Sequence, residues 1–321
     1  MTTETDPVVV CAGGVVADHT STPIDHAPAA GELVAADELL LTLGGSACNT
    51  SVDLVRLGLR ASLCAKVGND VFGRIVADEL RAAGVDTRFL HIDPRHATSQ
   101  TLIVNVRGQD RRFVHSFGAN RALVAADLDP ALDSNPKVLY VGGYLILPAL
   151  DPGELAERFR RARSRGVTTV LDVATPGPAD YLSKLRVLLP ETDVFLPNTD
   201  EAALILGETD ATRQALAFRD LGARRVVVTM GGAGSVSVSD AMRVRLGAYP
   251  VEFVDGTGGG DAFDAGYIAG LVDGLDEAAT LKLASAVGAS CVRALGTSAG
   301  VFTRAQADAF VAAHPLPIES F

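Results

Sequence analysis

The chain has 321 residues and carries a formal net charge of −11, from 28 basic and 39 acidic side chains. That length holds one large α/β domain or two modest ones, and a hydrophobic share of 48% is too high for a disordered chain. Only four of the basic residues are lysine (Lys66, Lys137, Lys184, Lys282) and there is no basic tail. This argues against general nucleic-acid binding, and any anionic ligand must be held by local groups.

In chain order, short β-branched runs alternate with amphipathic helical patterns. Strands are expected at 8–11, 61–67, 138–141, 167–172, 194–196 and 226–230, and helices at 47–57, 72–83, 154–165, 199–206 and 212–221. Such alternation predicts a mostly parallel sheet with helices on both faces, an α/β fold. Two stretches, 15–43 and 98–117, alternate polar and apolar residues without helices. The second reads as a hairpin, TSQTLIVNV–RGQD–RRFVHSF with Gly108 in the turn, so a small second sheet is expected to cover a site. After Tyr249 come a glycine cluster and helical patterns at 261–274, 276–294 and 304–313. The arginine-rich ELAERFRRARSRG segment keeps Leu155, Phe159 and Ala162 on one face and reads as a solvated helix.

The N-terminus MTTETDP lacks the regions of a signal peptide, and the apolar run 138–150 contains two glycines and Pro148 and is too short to span a bilayer. The cysteines Cys11, Cys48, Cys64 and Cys291 are scattered, as buried thiols in a reducing compartment would be, so the cytoplasm is expected. No lysine follows a glycine, which excludes a conventional P-loop, and GTGGGD (256–261) only nearly fits a dinucleotide fingerprint. GTSAG (296–300) formally fits a nucleophile elbow around Ser298. Its preceding segment reads as a helix, however, His314 is the only downstream histidine, and Gly296 reads as a helix C-cap.

The chemistry concentrates in VDGTGGGDAFDAGYIAG (254–270). Gly258, Gly259 and Gly260 lead into a helix, so unpaired backbone N–H groups and the helix dipole converge on an anion. Asp261 either caps its own helix or stands beside that anion hole as a general base for a hydroxyl. In LGGSACNTSVDLVRLG, Gly44 and Gly45 mark a strand–helix junction, and Asn49 in the next turn can bind a polyol. In DVFLPNTDEAALILG, Asn198 and Glu201 read equally as a helix start or as site residues.

Together these segments resemble the ribokinase-type (PfkB) family of carbohydrate kinases, from about residue 8 to residue 311. GGSACN resembles the family's GGxxxN element, AKVGNDVFG (65–73) its KxGxDxxG stretch, and Gly118-Ala119-Asn120 another recurring element. PNTDE resembles its NxxE motif, VTMGGAG (228–234) its nucleotide loop, and DGTGGGDAFDAG (255–266) its C-terminal signature. The resemblance implies a ribokinase-like three-layer α/β/α domain over 1–321, with a lid inserted at 15–43 and 98–117. It implies ATP and Mg²⁺, with Asp261 as base and the amides of Gly258, Gly259 and Gly260 as anion hole. Asp18, Gly44, Gly45 and Asn49 would bind the acceptor. Thr229, Gly231 and Gly234 would lie along ATP, Asn198 and Glu201 would hold Mg²⁺ through water, and Asp255 would offer a place for K⁺. A homodimer through the lid is also implied. The signature departs at Gly256 and Gly259, where Thr and Ala are usual. Ser46 and the glycines of VGGY (141–144) stand where ribokinases carry Lys and an acidic residue, which weakens a strict ribose assignment. A sugar kinase is the leading expectation. A nucleoside kinase of the same fold, a non-catalytic sugar- or nucleotide-binding regulator and a serine hydrolase using Ser298 are the alternatives.

Overall fold

The computed structural model describes residues 6–109 and 111–321. The polar start MTTET and Asp110 of the expected hairpin turn lie outside them. The N-terminal part runs β1 (Val9–Gly13), β2 (Val16–Ser21), β3 (Leu39–Gly44), α1 (Ser46–Arg56), β4 (Ala61–Gly68), α2 (Val71–Ala82), β5 (Leu90–Asp93), β6 (Gln100–Val104) and β7 (Arg112–Ser116). The middle adds α3 (Asp129–Asp133), β8 (Val138–Gly142), α4 (Pro152–Ser164), β9 (Thr168–Leu171), α5 (Leu182–Leu188), β10 (Val194–Phe195), α6 (Thr199–Leu206), α7 (Ala211–Asp220) and β11 (Arg225–Thr229). The chain closes with β12 (Ser235–Ser239), β13 (Arg243–Leu246), α8 (Gly259–Val272), α9 (Glu277–Cys291), α10 (Arg304–Ala313) and β14 (Ile318–Ser320).

Ten strands form one sheet in the order β14-β13-β12-β11-β10-β9-β8-β1-β4-β5. From β5 to β11 all neighbours are parallel; β12, β13 and β14 extend the sheet antiparallel, an edge absent from the sequence expectation. Burial on both faces explains the near-continuous apolar strands. In β1, Val9 and Cys11 enter the core under α1, α2, α8, α9 and α10, while Val10 and Ala12 enter the core under α3 to α7. The result is the expected three-layer α/β/α arrangement. Glycines let α8 approach α9 closely: a Cβ at Gly266 would stand 2.7 Å from the Ala284 Cα.

A second sheet, β3-β2-β6-β7, is built from the two helix-free stretches. Asn120 ties its root to the main sheet, donating from Nδ2 to the Val15 carbonyl (3.0 Å) and accepting from the Val15 N–H (3.2 Å). Asp70 caps α2 through the Gly73 N–H and also accepts the Thr98 N–H and hydroxyl, both at 2.7 Å. Lys66 pairs with Asp127 at 2.7 Å. Asn120 and Asp70 thus fasten the second sheet, while Lys66 ties β4 to the segment before α3. The arginines of α4 are spent in ion pairs: Arg158 and Arg161 with Asp129, Arg163 with Glu191 and Asp193. Helix α9 ends at Cys291 with Val292 as its cap, three residues short of the expected end. Gly296 is therefore a positive-φ turn residue rather than the helix cap. Among the described residues no helix is long and apolar enough to cross a membrane, and all four cysteines are buried free thiols.

Candidate active site

The site is assembled where the amino end of α8 meets α1. Gly258, in the left-handed region at φ 78°, is the N-cap of α8; a Cβ there would stand 2.3 Å from the Thr297 carbonyl oxygen. Only glycine fits that turn. Next to it, a Cβ on Gly259 would come within 2.9 Å of Val292, whereas the space beside Gly260 is open to 4 Å. Asp261 does not cap its own helix, because the N-cap position belongs to Gly258 and makes no side-chain cap bond. Its Oδ2 instead accepts a hydrogen bond from Asn49 Nδ2 at 2.8 Å, joining residues 212 positions apart. Burial pushes the Asp261 carboxyl up to about 6, against the hydrogen bonds of Asn49 and Ser46. The result is a carboxylate at a helix amino end whose affinity for a proton is matched to neutral pH.

Asn49 is 5% exposed, and its Oδ1 has no partner. A buried acceptor without a donor is costly, so this oxygen is poised for a ligand hydroxyl. Asp18 on β2 lies against Gly44: a Cβ at Gly44 would fall 1.9 Å from Asp18 Oδ2. Gly45 has φ 95° and packs on the Gly14 carbonyl, which aims the amino end of α1. Burial raises the Asp18 carboxyl against a hydrogen bond from Thr101 and the influence of His115 and His19. Asp261 bonds Asn49 of α1 and Asp18 lies against Gly44 just before that helix, so both carboxylates border the amino end of α1.

On the other side of Gly260 is a cavity of about 360 Å³ lined by Asp172, Asn198, Glu201, Thr229, Gly231 and Asp264, among others. Asn198 and Glu201 form a reciprocal cap on α6: Asn198 Oδ1 accepts the Glu201 N–H (2.8 Å) and Glu201 Oε2 accepts the Asn198 N–H (3.0 Å). Both earlier readings of this pair are therefore compatible, since the cap leaves Glu201 Oε1 and Asn198 Nδ2 for other work. Burial pushes the Glu201 carboxyl up to about 7, helped by the charge of Asp261. Thr229 bridges to Asn198, and the space beside Gly231 is open. Gly234 instead serves the turn into β12, where a Cβ would stand 1.9 Å from the Leu246 carbonyl oxygen.

Two further carboxylates line this cavity that the sequence motifs do not mark. Asp264 is 3% exposed and accepts from the Tyr140 hydroxyl at 2.9 Å. Asp172, at the carboxyl end of β9, accepts the Gly143 N–H at 2.9 Å, so an acidic group does stand beside the VGGY glycines, supplied by the next strand. Burial first, then their mutual repulsion and that of Asp261 and Glu201, raises both well above the usual carboxylate range. Two signals in the sequence could have found them: DAFD spacing places Asp264 one turn after Asp261, and Asp172 ends a parallel strand, where α/β sheets bind ligands.

Asp255 lies behind the glycine loop. Its Oδ1 accepts from the Thr257 N–H (3.0 Å) and hydroxyl (2.8 Å) and pairs with Arg111 at 3.0 Å; its Oδ2 accepts the Gly296 N–H at 3.2 Å. Burial alone would raise this carboxyl, but those donors and the Arg111 charge hold it below the usual range. Ser298 sits in an irregular turn after α9 with no strand before it, and its carbonyl oxygen accepts from Arg56 at 3.4 Å. His314 stacks on Phe310 and bonds that residue's carbonyl, so the geometry assembles no Ser–His pair here.

A profile of the pfkB family of carbohydrate kinases matches residues 7–304. The chain is 31% identical over 302 residues to a ribokinase of Mus musculus, covering 90% of each. Among solved structures, Arabidopsis thaliana ribokinase complexed with ribose and ATP matches with a TM-score of 0.83 at 21% identity, over 95% of this chain and 99% of that one. A ribokinase II candidate from E. coli, in complex with ATP and Mg²⁺, matches with a TM-score of 0.82 at 23% identity, over 96% and 100%. At these identities the structural matches speak to the fold.

Proposed function

Because the chain belongs to the pfkB family of carbohydrate kinases, we propose that it transfers the terminal phosphoryl group of ATP to a primary hydroxyl of a small sugar. The observation that carries this reading is the Asp261–Asn49 pair at the amino end of α8, beside three glycines with open space in front of Gly260. Asp261 takes the hydroxyl proton as the acceptor oxygen forms its bond to the γ-phosphorus. The bond from that phosphorus to the β,γ-bridging oxygen breaks, and ADP leaves with the electron pair. The amides of Gly258 and Gly260 face the charge that spreads over the migrating group, while the Gly259 N–H, expected to join them, closes the turn on the Gly256 carbonyl at 3.3 Å. Asn49 Nδ2 aims the base while its free Oδ1, with Asp18 and the Gly44–Gly45 turn, holds acceptor hydroxyls. Thr229 and Gly231 shape the nucleotide side, and Gly234 holds the turn that leads from them into β12.

Mg²⁺ fits the cavity chemically: Asp172, Glu201 and Asp264 repel one another there, and a divalent cation would relieve that repulsion. Among the described residues no group of three or more His, Cys, Asp or Glu side chains is arranged to hold a metal. Asn198 and Glu201 would therefore hold the ion through water and the nucleotide phosphates. Bound there, it would neutralise phosphate charge in the transition state.

The second sheet acts as the lid of the acceptor site, and its outer face as a homodimer contact. The register places Leu41, His19, Leu102 and Val114 in one cross-strand row, and Leu41, Leu102 and Val114 are 39%, 47% and 69% exposed. The buried free thiols support the cytoplasm as its place.

The test is an ADP-release screen over sugars and nucleosides with ATP and Mg²⁺. Sugar-stimulated release is expected. Stimulation by nucleosides alone would move the chain to the nucleoside branch, and none at all would defeat the kinase reading.

A further inference from the structure

The resemblance to ribokinases brings with it a monovalent cation beside Asp255, and the residues present do not fit one. Both oxygens of Asp255 are already engaged: Oδ1 by the Thr257 amide, the Thr257 hydroxyl and Arg111, Oδ2 by the Gly296 amide. The positive charge at this carboxylate belongs to a guanidinium. Arg111 immediately precedes β7, at the tip of the lid, and reaches the glycine loop from 146 positions earlier in the chain to touch both Asp255 and the Thr257 hydroxyl. Its guanidinium also lies 5.7 Å from the centre of the Phe113 ring, which holds it over the loop. The side chain is 32% exposed and that of Asp255 14%, so the pair is partly shielded from water and from screening by salt.

We propose that Arg111 is a built-in cation for Asp255, a positioning residue that fixes the glycine loop when the lid lies over it and makes this enzyme independent of K⁺. An arginine suits the task because its fork can bond a carboxylate and a hydroxyl together, whereas a free ion must first be gathered from solution. Its placement on the lid has a second consequence. The anion hole is completed only when the lid is down, so phosphoryl transfer to water is disfavoured while the acceptor site is open.

The proposal rests on the kinase reading, and its test is built so that the two fail separately. Wild type, Arg111→Ala and Arg111→Lys are compared in potassium chloride and in tetramethylammonium chloride at equal ionic strength, reading both kcat/KM for the best acceptor and the ligand-free melting temperature. Wild type is expected to give the same rate and the same melting temperature in either salt. Arg111→Ala should lose on the order of tenfold in kcat/KM, the scale of one charge-assisted hydrogen bond. K⁺, but not tetramethylammonium, should restore part of that loss and raise this variant's melting temperature, and Arg111→Lys should recover much of the rate. A wild type that K⁺ accelerates or stabilises overturns the proposal. So does an Arg111→Ala enzyme as fast as wild type, or a loss that neither K⁺ nor Arg111→Lys repairs. If no acceptor supports turnover in wild type, the kinase reading fails, while the melting temperatures still decide the cation question.

Discussion

Asp261 carries the heaviest chemical assignment, and its surroundings set two measurable expectations. A base must be deprotonated to work, and burial has pushed this carboxyl up to about 6. The kcat/KM should therefore fall with unit slope as pH drops below about 6 and level off above it; Asp261→Asn should abolish that limb along with about 10²- to 10⁴-fold of the turnover. An acid limb that survives in the variant would assign it to another group. The same burial acts on stability with a definite sign. A carboxyl whose folded value lies above its unfolded value helps folding most when protonated, and that help is lost as pH rises from about 4 to about 6. At neutral pH the charge thus works against the fold, so Asp261→Asn should be more stable, on the order of 1 kcal/mol, by thermal or urea unfolding. A less stable variant would show that the Asn49 hydrogen bond outweighs the burial.

At the scale of elements, helix starts do double duty. The α6 start, Asn198 to Glu201, reads in the sequence as a cap, and the structure builds that cap. What the sequence leaves open is that the same two residues border the cavity with Asp172 and Asp264. Glu201→Gln separates the two tasks, because glutamine also completes a capping box. With the cap kept and a buried charge that works against the fold removed, stability should rise on the order of 1 kcal/mol near neutral pH, while the Mg²⁺ concentration needed for half-maximal rate rises; unchanged Mg²⁺ dependence would leave Glu201 a cap alone. Gly258→Ala tests the α8 start, since its Cβ meets the Thr297 carbonyl at a positive φ. It should cost about 1–3 kcal/mol and most of the activity. The glycine cluster and Asp261 were legible because a helix amino end and its cap are written in adjacent residues. Tyr140 and Arg111 were not, because only the sheet order and the fold of the second sheet bring them near, whereas the place of Asp172 at a strand end gave a signal. The KxGxDxxG stretch and Asn120 were legible as motifs but silent about role, since fastening a sheet and binding a ligand call for the same polar side chains.

For the whole molecule, the acidic charge and scarce lysine left open where positive potential for a nucleotide would come from. The structure offers a helix amino end behind the glycine turn and an arginine just before β7, while the arginines of α4 are paired with acids. The second sheet also presents apolar groups on both faces, which an isolated sheet does not sustain in water. Its inner row bears Asp18, Thr101 and His115, with Ile103 two residues farther along β6; its outer row bears Leu41, Leu102 and Val114 with little from its own chain above them. A second copy placing its own outer row there would shelter both. Burying each such side chain contributes about 1–2 kcal/mol, so replacing two of them by charge should weaken the pair by well over tenfold. Leu41→Glu combined with Val114→Glu is expected to give monomers by light scattering at concentrations where wild type is dimeric. Because the same sheet carries Asp18 on β2, these monomers should show a raised KM for the acceptor but an unchanged KM for ATP. A wild type that stays monomeric at every concentration would remove the dimer, and an unchanged acceptor KM in the monomer would uncouple the outer face of the lid from the site beneath it.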